Sequence, residues 1–391
     1  MPNRALAAVF AVFLLVPLIE VVQRRQSGDL SPQSRINAHF AERPSLTSAL
    51  RLYPRYWPPL YPTLLWLAGR IGVTAERVNQ LFFVLTLVLI ALYSALHLAG
   101  VHSFLPVLLF AVGHYNYVNV YQYISETLFT FLSLALVLLL LRYRRTARGR
   151  DLALLALTGA ALAATKYMAL FWAIPLAALH MTLDAPGPLK RRMAHTAAFL
   201  AASALPVGAW MGLAYAESGY LTGSDRFGPR FAELTTFDKN VLFTGKTLLV
   251  DFASLEKYAS HAVINAPYRP SAWEWAVAAV ALAAVGATIL VVRSERAADA
   301  WPTPARLVAE FFAAYVVVLI ALWTIGNNDP VYTRFLYPAY PFLVLLGFHA
   351  YAAVSARTAS PWPRLPFQLL YALLLVTHAV RDYHAVALPL R

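Results

Sequence analysis

Four ionisable residues stand at the ends of long apolar runs, where a charge is costly to bury and is usually functional or paired. They are Asp29, Glu126, Lys166 and Arg334. Two carboxylates and two cations are the set required to deprotonate an acceptor and to stabilise a phosphate leaving group. The residue types therefore favour group transfer, provided that the fold brings the four side chains together.

Both acids also have an ordinary structural role. Gly28 would let the backbone turn Asp29 back towards neighbouring helices, but this aspartate could equally cap a helix that starts near Ser31. Glu126 opens an apolar run, where the helix dipole favours an acid. The tyrosine-rich stretch 114–123 before it could be an aromatic belt or the wall of a cleft for a sugar or lipid headgroup.

The two cations can likewise have either a structural or a functional role. Lys166 lies between two apolar segments with almost no loop, so its ammonium could simply reach the interface along its flexible stem. Arg334 could form an ion pair with the preceding Asp329. Alternatively, both cations could bind a phosphate, for which a guanidinium is well shaped.

The composition predicts the scaffold that must position these groups. Of 391 residues, 60% are hydrophobic and 13% charged, whereas a soluble domain carries about 25% charged residues. The apolar runs have the length that crosses a bilayer as a helix. We therefore predict an all-α polytopic membrane protein with about eleven transmembrane helices. The predicted helices are 4–22, 78–99, 102–114, 124–142, 151–165, 168–184, 195–215, 273–292, 307–325, 335–355 and 366–380.

Several details of this scaffold follow from run length. Runs 102–114, 151–165 and 366–380 are short for a full span, and 58–71, interrupted by prolines, is typical of an interfacial or re-entrant helix. The first run is long for a signal peptide and lacks a clear cleavage site, so we predict a retained helix. Residues 1–391 are expected to form one membrane domain without a separate soluble domain.

The net charge of +13 and the pI of about 9.9 are expected to reflect contact with anionic lipid rather than with nucleic acid. Arginine and lysine cluster in alternate short loops, which the positive-inside rule places in the cytoplasm. The N-terminus is then cytoplasmic, in the inner (plasma) membrane. Arg24 and Arg25 oppose this orientation, but their loop is long, so their charges count less. The chain has no Cys, which excludes disulfides and thiolate metal sites.

Two segments, 23–77 and 216–272, are too long to be tight turns, and both fall on the predicted outer side. Long loops in a compact protein are usually functional or disordered. The first is rich in aromatic residues, and 32–42 and 45–52 could form short interfacial helices. We expect these outer segments to recognise the acceptor.

The order of motifs resembles the GT-C glycosyltransferases that use a dolichyl- or polyprenyl-phosphate sugar, near the protein O-mannosyltransferases and the bacterial aminoarabinose and lipopolysaccharide sugar transferases. The resemblance covers residues 1 to about 355. The motifs that carry it, in order, are Gly28-Asp29, Tyr56–Leu65, Ser125-Glu126 with Phe129, Gly159–Tyr167, and Tyr332–Pro338 with Pro341.

The resemblance implies an inverting transfer of sugar from a polyprenyl-phosphate carrier to a glycan, lipid or protein acceptor at the outer face. Asp29 would be the general base, and Glu126 a second acid that orients the acceptor or the sugar. The remaining implied residues bind substrate, with the cations neutralising the lipid phosphate: Lys166, Arg334, Tyr61, Tyr123, Tyr337, Arg226 and Arg230.

The sequence departs from the family pattern in one respect that bears on chemistry. Asp29 is followed by Leu30-Ser31-Pro32, so the second acid often found beside it is missing. This favours a site without metal or other cofactor. Two alternatives remain: a transporter or lipid flippase, which would need polar or broken-helix sites near the bilayer midplane, and a non-catalytic accessory protein with the same fold.

Overall fold

The computed structural model describes residues 57–98, 104–113, 124–222, 236–253, 271–293, 303–325, 333–358 and 360–387, together with Asn37, Glu42, Arg43, Ser45 and Leu46. Over these residues all regular structure is helical. The helices are α1 (Leu60–Arg70), α2 (Ala75–His97), α3 (Phe104–Ala111), α4 (Glu126–Thr146), α5 (Gly149–Thr165), α6 (Ala173–Leu183), α7 (Leu189–Ser218), α8 (Phe237–Ala253), α9 (Ala272–Arg293), α10 (Thr303–Ile325), α11 (Thr333–Leu336), α12 (Tyr340–Arg357) and α13 (Leu365–Ala387).

Six of these helical segments are long and apolar enough to cross a bilayer. They are α2, α4, α7, α9, α10, and α12 together with the 3-10 turn before it. The described chain is therefore helical and suited to a membrane, as the composition predicts. The predicted first helix, 4–22, lies outside the described residues.

The helix bounds differ from the apolar runs in a systematic way. The run 195–215 belongs to α7, which has 30 residues, and the short run 366–380 belongs to α13, which has 23. Each helix continues into polar sequence beyond its run, because backbone hydrogen bonding does not stop where hydrophobicity does. The run 102–114 is indeed short, since α3 has eight residues.

Two prolines break the run 335–355 near its start. α11 ends at Leu336, a 3-10 turn covers Tyr337–Ala339, and α12 begins at Tyr340. Pro338 and Pro341 lack a backbone N–H, so each is tolerated in the first turn of a new element but not inside a continuous helix. The break leaves Tyr337 buried, at 3% exposure, between two helical pieces.

A chain of contacts between arginine, histidine and carboxylate side chains joins three helix ends at one end of the bundle, which we call the basic end. Arg144 of α4 lies 2.9 Å from Asp184, and His180 Nδ1 of α6 lies 2.6 Å from the same carboxylate. His180 Nε2 lies 2.7 Å from Glu310 of α10, which also pairs with Arg306 at 2.7 Å. The arginine-bearing end of α4 and the start of α10 therefore lie at the same end of the bundle.

An aromatic core fixes the start of α6. Trp172 is 1% exposed, and its ring makes edge contacts with the rings of Phe129, Phe311, Tyr315 and Phe342. These rings come from α4, α10 and α12. Such contacts add to the burial energy of large aromatic side chains, so the segment that joins α5 to α6 is held firmly against the bundle.

Helices α5 and α7 pack closely against each other at Gly159. A Cβ atom at this position would overlap Ser203 Oγ and would lie 3.0 Å from Phe199 Cε2. We therefore expect Gly159→Leu to lower the free energy of unfolding by about 1–3 kcal/mol through overpacking. Thermal unfolding of the purified protein in lipid nanodiscs measures the effect.

Gly208 of α7 provides the matched control, because it is exposed and no atom lies within 4 Å of a Cβ built there. Gly208→Leu makes the same substitution within a helix, and it should leave the free energy of unfolding unchanged or slightly higher. Equal losses in the two variants would show that α5 and α7 do not pack as described.

Candidate functional site

A buried ion pair joins two of the four residues singled out by the sequence. Lys166 Nζ lies 2.9 Å from Glu126 Oε1. Glu126 is 2% exposed and the Lys166 side chain 19% exposed. The Lys166 side chain therefore does not extend to the membrane interface only to be hydrated. Its ammonium group contacts the carboxylate of Glu126, 40 residues away in the chain.

Local backbone structure places each partner. Glu126 is the first residue of α4, where a carboxylate complements the helix dipole. α5 ends at Thr165, and Lys166 then takes an extended conformation with φ −148° and ψ 126°. The Lys166 N–H donates to Leu162 O at 3.1 Å, and its carbonyl accepts from Ala169 N at 3.1 Å. The lysine is thus held at a corner between two helical segments.

Aromatic side chains surround the pair. Lys166 Nζ lies 5.6 Å from the ring centroid of Phe129, one turn into α4, within the range of a cation–π interaction. Glu126 is close enough to Tyr315 and Tyr337 to interact with both electrostatically. Tyr315 donates its hydroxyl proton to Phe335 O, which keeps that hydroxyl away from the carboxylate. The wall of the site is therefore apolar rings with one charge pair among them.

The second carboxylate oxygen of Glu126, Oε2, is buried and has no hydrogen-bond partner among the described residues. A buried polar atom in this state calls for an explanation, since it loses its hydration without compensation. This oxygen can accept a hydrogen bond from a donor such as a sugar hydroxyl or an amine.

A second polar cluster ties three helices together beside the ion pair. Tyr61 of α1 donates to Asn79 Oδ1 at 3.0 Å, and Thr127 of α4 donates to the same oxygen at 2.9 Å. All three side chains are at most 1% exposed. Tyr61 therefore holds α1 against α2 and α4, and its ring is enclosed by protein.

The other residues predicted to bind substrate are placed only in part. Tyr337 is buried in the 3-10 turn near Glu126. Arg334 belongs to α11, three residues earlier in the chain, and so to the same end of the bundle. Four predicted site residues lie outside the described residues: Asp29, Tyr123, Arg226 and Arg230.

Asn79 and Trp172 were missed by the sequence reasoning. Asn79 is a fully buried amide near the start of an apolar helix, and an amide in such a run is a recognisable signal because it requires a polar partner. Trp172 gives no signal in the sequence, since tryptophan in a membrane helix is usually interfacial. Its position shows why the Lys166 corner is rigid.

The arrangement can hold one anionic group in competition with Glu126. A phosphate near Lys166 would share or take the ammonium, and the freed carboxylate could then accept hydrogen bonds from a hydroxyl. Within the described part of the chain, no group of three or more His, Asp or Glu side chains is arranged to hold a metal ion. The sequence matches no protein-family model and no curated protein.

Proposed function

We propose that this protein is an integral membrane glycosyltransferase with a GT-C-like topology of about eleven spans. It moves a sugar from a polyprenyl-phosphate carrier to a glycan, lipid or protein acceptor, with inversion. The observation that carries the proposal is the buried Glu126–Lys166 pair, whose Glu126 Oε2 lacks a hydrogen-bond partner among the described residues. A cation and an unsatisfied acceptor at one helix end suit a phosphate and a sugar hydroxyl.

The proposed reaction is a single displacement. Asp29 takes the proton of the acceptor hydroxyl or amine, and the acceptor atom attacks the anomeric carbon of the sugar. The bond from that carbon to the phosphate oxygen breaks, and the lipid phosphate leaves with the bonding electrons. Lys166 and Arg334 stabilise the charge that develops on the phosphate, and Glu126 orients a sugar or acceptor hydroxyl.

The ion pair gives the empty site a stable resting state. A lone lysine at this depth would be expensive, and Glu126 neutralises it until the donor phosphate arrives. The phosphate brings its own negative charge while Glu126 remains, so the loaded site needs a second cation, which is the role proposed for Arg334. Arg226 and Arg230 in the second long segment are further candidates to bind the phosphate.

Orientation follows from the charged loops. The positive-inside rule assigns the basic end to the cytoplasm of the inner (plasma) membrane, which places Glu126 and Lys166 near the outer face. The segments 23–77 and 216–272 would then meet the acceptor. Within them the structure describes α1 and α8, and α8 packs against α9, α10, α11 and α13 at this end.

Three buried hydroxyls in α2 and α4 are bonded within their own helices and so do not favour the transporter alternative. Thr86, Thr130 and Ser133 each donate to the carbonyl four residues earlier, at 2.7 Å. Their hydrogen-bonding capacity is therefore used within their own helices, whereas a transport site near the midplane needs polar groups and broken helices that face a substrate.

The decisive experiment follows a radiolabelled sugar on a polyprenyl-phosphate donor. The purified protein in nanodiscs is incubated with donor and with lipid, glycan or peptide acceptors, and products are separated from donor. We expect label on an acceptor and release of unglycosylated polyprenyl phosphate. Movement of intact donor across proteoliposome membranes with no transfer product would establish a flippase instead, and neither activity would favour an accessory protein.

A further inference from the structure

One buried imidazole at the basic end contacts two carboxylates at once. His180, in the last turn of α6, is 5% exposed. Its Nδ1 lies 2.6 Å from Asp184 Oδ2, and its Nε2 lies 2.7 Å from Glu310 Oε2. Asp184 directly follows α6, whereas Glu310 belongs to α10. The ring of His180 therefore links the end of α6 to α10 through both of its nitrogens.

The protonation state of His180 follows from these two contacts. A neutral imidazole carries one N–H and one lone pair, whereas an imidazolium carries two N–H groups. In the neutral ring, the lone pair of one nitrogen would lie against a carboxylate oxygen and repel it. The Nε2 contact with Glu310 is not aligned as a hydrogen bond, so the attraction on that side is between opposite charges. Only the imidazolium attracts both carboxylates.

The charges along this chain of contacts alternate in sign when His180 is protonated. Arg144 of α4 lies 2.9 Å from Asp184, and Arg306 lies 2.7 Å from Glu310. The order is then cation, anion, cation, anion, cation, so each carboxylate lies between two cations. If the imidazole were neutral, two carboxylates would face each other across an uncharged ring, and no charge would attract α6 to α10 at this point.

Helix α7 also packs against α6 and carries two titratable groups near this end. Arg192 donates from Nη1 to Leu183 O at 2.7 Å. His195 Nδ1 lies 2.8 Å from the hydroxyl of Tyr143. Among the described residues, neither group bonds to His180 or to its two carboxylates. The link between α6 and α10 therefore depends on the charge of one imidazole.

The other end of α6 is held to α10 in a different way. Trp172, which directly precedes α6, has its ring centroid 5.6 Å from that of Phe311 and 5.1 Å from that of Tyr315. These ring contacts are apolar and do not change with the charge of His180. Loss of that charge would therefore release the end of α6 from α10 while its start stays attached.

We propose that His180, Asp184 and Glu310 form a proton-dependent latch between α6 and α10. The latch is closed when the imidazole is protonated and opens when the ring becomes neutral. The closed form holds one more proton than the open form, so a rise in pH favours opening. This device does not depend on the proposed glycosyltransferase activity.

The chain has no cysteine, so two introduced cysteines are the only sites that a thiol-reactive spin label can modify. Leu183 at the end of α6 and Thr303 at the start of α10 are both exposed and suit such labels. The distance between labels is measured by electron–electron double resonance in nanodiscs at about pH 6 and about pH 9, which bracket the titration of histidine. We expect one short distance at the lower pH and a longer population at the higher pH. Identical distance distributions at both pH values would overturn the proposal.

Two histidines at the same end provide matched variants. Glutamine keeps a polar side chain but does not gain a proton in this range, so His180→Gln should abolish the pH response of the label distance. His195→Gln removes a histidine that contacts no carboxylate among the described residues, and it should leave the response intact. Between about pH 6 and about pH 9, Tm of the otherwise unmodified protein should fall by at least about 3 °C more than that of His180→Gln. An equal pH response in both variants would contradict the assignment.

The protonation state can be measured even if His180→Gln fails to fold. Solid-state NMR of the protein with nitrogen-15 histidine distinguishes an imidazolium, with two protonated nitrogens, from a neutral ring. We expect an imidazolium signal at about pH 7 that disappears by about pH 9. In Glu310→Gln the new amide can donate to Nε2, so the neutral ring is favoured and this signal should be lost at about pH 7. A neutral His180 in the wild-type protein at about pH 7, or an imidazolium signal unchanged in Glu310→Gln, would overturn the proposal.

Discussion

Replacing Lys166 with methionine should lower the free energy of unfolding by about 3–5 kcal/mol, the range found when one partner of a buried ion pair is removed. Methionine keeps the length and apolar stem of lysine, so the packing against Phe129 changes little. What remains is Glu126, 2% exposed, with neither water nor a counter-ion. The loss should appear in unfolding of the protein in nanodiscs or detergent.

The double variant Lys166→Met/Glu126→Gln isolates the charge from the packing. It removes both charges while it preserves the shape of both side chains, and a buried pair replaced in this way is often neutral or even stabilising. We therefore expect the double variant to recover most of the loss of Lys166→Met. A double-mutant cycle with Glu126→Gln alone gives the coupling between the two positions.

Lys190 serves as the control, because it is exposed near the start of α7. Lys190→Met should change stability by no more than about 0.5 kcal/mol, as for most surface substitutions. If Lys166→Met were equally mild, Glu126 would have to find another cation, and the pair could not be the element that keeps the proposed site neutral at rest.

The sequence predicted Glu126 and Lys166 as site residues at the same membrane face, but it did not predict that they pair. Each had an explanation of its own, a helix dipole for the acid and the interface for the lysine. Pairing requires α4 and α5 to pack side by side, and it requires α5 to end at Thr165 so that Lys166 turns towards α4. Neither condition can be derived from run length or spacing.

The scaffold was predictable to the extent that it depends on hydrophobicity. Apolar runs locate the cores of α2, α4, α9 and α10 within a few residues. They do not locate α8, whose Asp and Lys residues make its sequence mixed, so that it fell within a predicted loop. They also miss the break at Tyr337–Ala339, because two prolines change the backbone without changing hydropathy.

The polar contacts that hold the site could be predicted from the sequence only in part. Asn79 in an apolar run signals a buried partner, but nothing in the sequence shows that the partners are Tyr61 and Thr127. The resemblance grouped Tyr61 with substrate-binding residues, whereas the structure gives its hydroxyl a protein partner. This contact positions α1 against the start of α4, and the substrate-binding role of Tyr61 stays a prediction.

The largest expected effect on activity is that of Asp29→Asn. The proposed reaction needs a base on the acceptor, and removing a general base lowers the rate by about 10²–10⁴-fold. Asparagine has nearly the same shape as aspartate, so only proton transfer should be lost. Because the phosphate is bound by cations and not by Asp29, kcat should fall while KM for the polyprenyl-phosphate sugar stays close to its wild-type value.

Asp238→Asn is the matched control. Asp238 is an acid in the first turn of α8, in the other long segment, and a hydrogen bond with the Thr236 side chain lowers its pKa. This control therefore also removes an ionised carboxylate, and it should leave kcat and the KM for the polyprenyl-phosphate sugar unchanged. Binding of the lipid carrier by the Asp29→Asn protein, measured as a rise in Tm with polyprenyl phosphate, shows that the variant is folded. Full activity in a folded Asp29→Asn protein would mean that another group accepts the proton, and Glu126, a buried carboxylate already paired with Lys166, would be the next candidate for the base.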